Sequence, residues 1–410
     1  MKKPLGTALA ALVLLTIGTT ALFADEQPPQ TEFVFNLYRT VVKDKANDNV
    51  AVSPYGLQQM LDLLRFGAAG DTKTEIEKVI GYTETFKWAS LVAAPLPLPR
   101  DRSAMGNVIP GRIPATPQEG PLTTAASVWT QKDYPFLPEY LKIATDNFGA
   151  TIEQADFVAN SDDAVKRIND WCSEKTNKKI PVLFDEIDPM TRMILVGAIH
   201  FLADWQTPFN KNMTRDDDFT PLNGAKVKTK LMSQQSRFQY GETAESLILE
   251  LPYQNEGYAM LLLMPKKPAD FAKWESEMTL EKWTALRKSM KNEEVNVLMP
   301  RFTMESTMAL NELLKSMGMP TAFIPNDADF SKIDGSRNLF VGTALQKTYV
   351  KVDETGTEVA AVTGIGMMAT SAMIDPPKPK EFHADRPFLY AIVKGNSILF
   401  LGRFVKPGAE

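Results

Sequence analysis

The stretch that most constrains this chain runs from Glu354 to Pro387, near its C-terminal end. From Val359 to Ile374 it carries no charged residue and mixes Ala, Val, Thr, Gly, Ile and Met. Structureless loops above about 15 residues are uncommon inside compact domains, and those that occur are usually functional or disordered. Disordered segments are usually charge-rich and poor in β-branched residues, which this one is not. Read with period 2, Thr357, Val359, Ala361, Thr363, Ile365 and Met367 share one uncharged face. Small and β-branched side chains of this kind suit a crowded central strand as well as an exposed loop. The segment therefore has two homes, and the rest of the chain must supply the second.

The run Glu354-Thr355-Gly356-Thr357-Glu358-Val359-Ala360-Ala361-Val362-Thr363 resembles the hinge of the serpins, and Phe382-His383-Ala384-Asp385-Arg386-Pro387-Phe388-Leu389 resembles that family's C-terminal signature. The resemblance covers about residues 31 to 407. It implies an α+β fold of three β-sheets with about eight to nine helices and an exposed reactive-centre loop. It also implies a mechanism: a serine protease attacks the loop, forms an acyl-enzyme and is carried along as the loop inserts into the main sheet. On this resemblance the hinge comprises Glu354, Gly356, Thr357, Glu358, Val359, Ala360 and Ala361, within a loop spanning 354–381. The family's usual spacing from Glu354 places the reactive bond at Thr370-Ser371; a loop longer than in many relatives leaves Met368 and Met373 as alternatives. Small and unbranched apolar residues around that bond suit elastase-like or subtilisin-like proteases.

Residues 1–24 carry Lys2 and Lys3, an apolar run and small residues ending at Ala24, the pattern of a signal peptide. The run is too short to favour a membrane span. A secreted product, extracellular or periplasmic, follows as an expectation, with 25–410 forming a single domain. Cys172 is the sole cysteine, so no intramolecular disulfide can form and stability must come from packing. Cys172 follows Trp171 in a helical pattern and reads as a buried, inert thiol. A net charge of -5 with no concentrated basic stripe argues against nucleic acid or an acidic membrane as partner. The expected partner is a serine protease held as a covalent acyl complex by a monomeric inhibitor.

Along the chain, residues 31–44 have the spacing of a helix, and Ser53-Pro54 opens a second with a capping hydroxyl and proline at the first helical position. A third begins at Asp71. Residues 83–121 hold Pro95, Pro97, Pro99, Pro110, Pro114, Pro117 and Pro121, which cannot populate a helix interior. Strands are expected at 125–129, 193–202, 227–232, 247–252, 258–264, 295–299 and 339–341, a short extended piece at 155–157, and helices at 137–148, 164–177 and 310–317. The apolar run Met193 to Leu202 reads as a fully buried strand.

Serpins generally carry a serine three residues after the Ser-Pro serine, an asparagine before the Ala-Ile of the buried strand and a histidine before the lysine of the strand leading to the hinge. Here those positions hold Gly56, Gly197 and Gln346. A buried polar network must be satisfied throughout or it costs stability. Gln346 is therefore expected to bond Ser53 or nearby backbone and to pack over the space left by both glycines. Together with Trp205, these residues form the expected loop-insertion region.

Enzymatic readings find little footing. With two histidines in the chain, any Ser-His-Asp or metal site must use His200 or His383. His200 lies within the apolar strand and reads as a core imidazole, and His383 has no nucleophile pattern around it. Gly364-Ile365-Gly366-Met367-Met368-Ala369 matches a dinucleotide fingerprint, but the prolines at 376, 377 and 379 preclude the helix it must open. Asn212-Met213-Thr214 is a glycosylation sequon. No cofactor is implied. The second reading is a non-inhibitory serpin serving as carrier, chaperone or storage form; such forms place proline, bulky or charged residues in the hinge, whereas Thr357 to Thr363 has no proline and one charge, Glu358.

Overall fold

Ser53 and Pro54 start a helix of 14 residues, as anticipated. The Ser53 hydroxyl accepts the Gly56 N–H at 3.2 Å, and proline occupies a first-turn position whose missing N–H costs nothing. The computed structural model describes residues 30–84, 86, 88, 121–176, 178, 181–357 and 378–408. The expectations for residues 1–24, for most of 83–121, for Glu358, Val359, Ala360 and Ala361, and for Met368, Thr370, Ser371 and Met373 lie outside the described residues, as does the side chain of His200.

Nine helices occur among the described residues: α1 (Phe33–Val42), α2 (Pro54–Gly67), α3 (Gly70–Ile80), α4 (Pro138–Phe148), α5 (Ser161–Lys175), α6 (Phe271–Ser276), α7 (Leu280–Ser289), α8 (Asn311–Met317) and α9 (Ser331–Asp334). Helix α4 ends on Gly149 at φ 62° and α8 on Gly318 at φ 112°, left-handed positions that glycine adopts without strain. Sixteen strands accompany them: β1 (Val50–Val52), β2 (Leu122–Gln131), β3 (Thr151–Ala155), β4 (Met193–Phe201), β5 (Ala203–Asp204), β6 (Arg215–Phe219), β7 (Val227–Glu242), β8 (Ser246–Pro252), β9 (Tyr258–Pro265), β10 (Lys291–Pro300), β11 (Phe302–Ala309), β12 (Leu345–Val352), β13 (Gly356–Thr357), β14 (Lys380–His383), β15 (Phe388–Lys394) and β16 (Ser397–Phe404).

One ladder runs β1-β16-β15-β9-β8-β7-β10-β14, with β6 on β7. Strand β7 changes partner along its length: Val227 to Leu231 pair with β6, whereas Gln239 to Glu242 pair with β8. The ladder thus comprises two sheets sharing β7. The second ladder, β3-β2-β4-β12-β13-β5 with β11 on β12, makes the third sheet of an α+β fold. The core lies mainly on β9, β15 and β16, where Leu261, Leu263, Tyr390, Ile392 and Phe400 are fully buried. Inside it Arg403 on β16 meets Glu275 at 2.7 Å, and Tyr38 donates to the other Glu275 oxygen at 2.5 Å. Burial raises the Glu275 pKa, and the Arg403 charge and these hydrogen bonds oppose the rise.

Three sequence expectations need correction. Strand β4 is not uniformly buried: Ile194 and Val196 pack with Ile168 and Cys172 of α5, while Met193, Leu195 and Gly197 on the other side are half-buried. Residues 339–341 form no strand, because Val341 donates its N–H to Ala322 at 2.8 Å and joins no ladder. Phe157 lies in a turn, its N–H bound to the side chain of Gln131, and the strand before it is β3.

Candidate functional site at the hinge

The last residues of β12 lead into a tight reversal. Asp353 Oδ1 accepts the Thr355 N–H at 2.9 Å and its hydroxyl at 2.5 Å, and the Asp353 N–H donates to Gly356 O at 2.9 Å. Burial works to raise the Asp353 pKa, but the bonds from Thr355 and the nearby Lys351 charge outweigh it and hold the carboxyl below its usual value. After this turn Gly356 and Thr357 run back as β13, antiparallel to both neighbours: Thr357 pairs with Val352 of β12 and Ala203 of β5, and Gly356 with Asp204. The hinge thus begins as a strand lodged between β12 and β5. Only glycine fits at 356, since a Cβ there would stand 2.2 Å from Ala203 O and 2.6 Å from Asp204 Cα.

Aromatic residues seat this turn. Trp205 is buried and stacks on Tyr253, with ring centroids 4.5 Å apart and planes 9° from parallel. Its indole N–H donates to Asp353 O at 2.9 Å and its backbone N–H to Thr355 O at 2.8 Å. The Tyr253 hydroxyl lies 2.7 Å from the buried Thr357 hydroxyl. Glu354 is held by Thr214, whose hydroxyl donates to Oε1 at 2.7 Å, and by the Phe209 N–H on its carbonyl. Trp205, Glu354, Gly356 and Thr357, singled out from the sequence, come together here. Asp353, Thr214 and Tyr253 were not anticipated; the apolar Leu251-Pro252-Tyr253 run gives no sign that its aromatic, just past the end of β8, pairs with Trp205 under the hinge.

Below β13 the seam between β4 and β12 is slight. A single registered pair, Thr348 with Ile199, joins these parallel strands. Toward the N-terminal end of β4 a cleft of about 180 Å³ opens between Met193 and the segment that precedes β12, with Leu339, Gly342 and Thr343 in its lining. Gln346 and Ser53 meet under the seam, where the Gln346 amide accepts the Ser53 N–H and donates to Ser53 O, both at 2.9 Å. The Ser53 hydroxyl donates to Leu399 O at 2.7 Å, and Thr348 Oγ1 donates to Ala51 O at 3.0 Å. Gln346 does not fill the space over the glycines. A Cβ on Gly56 would stand 2.0 Å from Ile199 Cδ1, and one on Gly197 would stand 3.0 Å from Met60 Sδ, so an isoleucine and a methionine occupy those volumes.

His383 sits on β14, half exposed, with Nε2 2.7 Å from Glu381 Oε2. Burial pushes the Cys172 thiol up to about 12, which suppresses the thiolate. What the hinge geometry can do is extend a strand: it presents a seated first residue, a weakly paired seam beneath it and a long segment downstream.

In this fold the hinge starts as a short strand, Gly356–Thr357, paired between β12 and β5. The family described as serpin (serine protease inhibitor) matches residues 28–407. The human leukocyte elastase inhibitor is 34% identical over 92% of this chain and 98% of its own length, and an uncharacterized serpin-like protein of Thermococcus kodakarensis is 31% identical over 92% and 84%. The native-state crystal structure of the thermophilic serpin Tengpin superimposes with a TM-score of 0.76 at 27% identity, covering 92% of each chain. The chain belongs to the serpin family, whose members are described as serine protease inhibitors.

Proposed function

We propose that this serpin is a secreted, monomeric inhibitor that traps a serine protease once per molecule as a covalent acyl complex. The observation that carries this reading is β13: Gly356 and Thr357 already occupy the slot between β5 and β12 into which a cleaved loop would extend. Residues 359–363 are small or β-branched and uncharged, which suits continued insertion. Each added ladder bond nets about 0.5–1.5 kcal/mol, so the driving force is collective along the strand. Met367, Met368, Ala369 and Met373 around Thr370-Ser371 favour an elastase-like or subtilisin-like target, and a 34% identical relative is named as an elastase inhibitor. Export rests on residues 1–24.

Mixing the protein with elastase, subtilisin and trypsin and running a denaturing gel tests the reading. A band near the summed mass with elastase or subtilisin is expected, with the released C-terminal peptide starting at Ser371 by mass spectrometry. Clean cleavage with no such band would make the chain a substrate and return the non-inhibitory reading. Trypsin as the best-trapped enzyme would overturn the specificity.

A further inference from the structure

Glu354 and Thr355 alone join β12 to β13. Val352 pairs with Thr357, and the Asp353 N–H reaches Gly356 O at 2.9 Å, so the connection is a two-residue hairpin loop. Such loops ordinarily take turns with φ above zero at one or both central residues, supplied by glycine, asparagine or aspartate, because those turns match the twist of the flanking strands. Glu354 and Thr355 are none of these, and neither has a positive φ. The remaining turn types splay the strands they join. A loop with no preference of its own for a hairpin has to be held in one by other groups.

Asp353 supplies that hold from inside the turn. Its Oδ1 accepts the N–H of Thr355 at 2.9 Å and the hydroxyl at 2.5 Å, so one carboxylate oxygen ties down the second loop residue by two bonds. An aspartate that bonds the backbone two residues on mimics a backbone turn, and the charge on the acceptor strengthens both bonds. Outside the turn, Trp205 binds the carbonyl of Asp353 at 2.9 Å through its indole and that of Thr355 at 2.8 Å through its backbone. Lys351 stands 3.5 Å from the other Asp353 oxygen but is 32% exposed, so water screens its charge.

A hairpin takes its register from its turn, and a slip of one residue sends every side chain to the opposite face of the sheet. Thr357 is buried and bonded to Tyr253, so the turn decides which face of the strand meets the core. We propose that Asp353 is a positioning residue for insertion: by holding the Glu354–Thr355 turn it sets the register in which β13 lengthens after the loop is cleaved. This inference rests on the inhibitor reading above and names a residue on which trapping efficiency depends. At the acyl-enzyme, insertion competes with hydrolysis, in which water takes up the acyl group and frees the protease serine. A turn that no longer holds register slows insertion alone, and more chains are lost to hydrolysis.

Asp353→Ala and Asp353→Asn test this, with Lys351→Ala as control. Asparagine keeps an oxygen acceptor for the same turn, whereas alanine does not. With elastase or subtilisin, whichever wild type traps, Asp353→Ala is expected to raise the stoichiometry of inhibition about threefold or more, with the rate of loop cleavage within about twofold of wild type. Exchange of the Thr357 amide, measured without protease, is expected to quicken about tenfold, the scale of a lost hydrogen bond to a charged group. Asp353→Asn and Lys351→Ala are expected to stay close to wild type in all three readings. Wild-type stoichiometry or wild-type exchange in Asp353→Ala, loop cleavage slowed in parallel with trapping, or a defect in Asp353→Asn or Lys351→Ala equal to that of Asp353→Ala would overturn the proposal. If wild type traps no protease, the inhibitor reading fails, and the exchange measurement alone then decides whether Asp353 holds the turn.

Discussion

Replacing Gln346 by histidine tests the seam most directly, because one side chain holds both backbone groups of Ser53. The glutamine amide offers a donor and an acceptor on adjacent atoms, and both bonds are 2.9 Å with Gln346 only 5% exposed. A neutral imidazole carries its donor and acceptor on nitrogens across the ring, so it can serve one Ser53 group and strands the other. An unsatisfied buried group costs about 1–3 kcal/mol, which sets the expected loss at pH 8. The histidine must also stay neutral to accept the Ser53 N–H, so its folded pKa lies below the unfolded value near 6.5. With a depressed folded pKa, the unfolded chain binds more protons, and stability is lost as pH falls below 6.5. At pH 5.5 this adds about 1.4 kcal/mol. Urea unfolding of mutant and wild type at both pH values measures it. Taking the difference at each pH cancels the contributions of Asp62 and Glu275, whose carboxyl pKa values burial raises in both proteins. A mutant within about 0.5 kcal/mol of wild type at both pH values would refute the two-bond clamp, and a loss equal at both pH values would refute the neutral imidazole.

Thr357→Arg must bring a cation into a site that is 1% exposed and bonded to Tyr253, at a cost of several kcal/mol. The stoichiometry of inhibition against elastase should rise well above wild type, with the cleaved form dominating the gel. Gly356→Ala drives a methyl group into Ala203 O at 2.2 Å, so the pairing of β13 with β5 should open and hydrogen exchange of the Thr357 amide quicken by about tenfold or more. Arg403→Ala leaves the Glu275 carboxylate buried without its cation, and a urea titration should show a loss of about 3–5 kcal/mol.

The first part of the hinge, Glu354 to Thr357, was legible from its resemblance to the family's run, and Gly356 stands where a Cβ would meet the backbone of Ala203 and Asp204. The start of α2 was legible from Ser53 and Pro54 for local reasons. Strand β12 was legible only through the family resemblance, which puts Gln346 and Lys347 in the strand leading to the hinge; its own alternation is inverted, since Gln346 and Thr348 face inward to bond Ser53 and Ala51, while Lys347 and Tyr349 are half-buried on the other face. A period-2 reading assigns polar residues to solvent and misses such a strand. Strand β7 was caught only over its first residues, since Ser233 to Arg237 are polar and half-buried or exposed in the stretch where it faces β10. Gln346 was correctly matched to Ser53, but the volumes over Gly56 and Gly197 belong to Ile199 and Met60, whose reach across elements no local pattern reveals.

The lone Thr348–Ile199 rung, with β13 above it and a cleft below, gives the large sheet the mechanics of a notched plate. Load applied across most sheets is shared by many rungs at once. Here one rung joins β4 to β12 directly, and β13 ties the same two leaves at one end through Thr357 to Val352 and Ala203 and through Gly356 to Asp204. Failure under load should therefore start at a single place and run in a single direction, parting β3-β2-β4 from β12-β11 as two rigid leaves. Pulling the two leaves apart through attachment points on β2 and β11 in a force-extension experiment should yield a first rupture at low force with both leaves intact, well before either unravels.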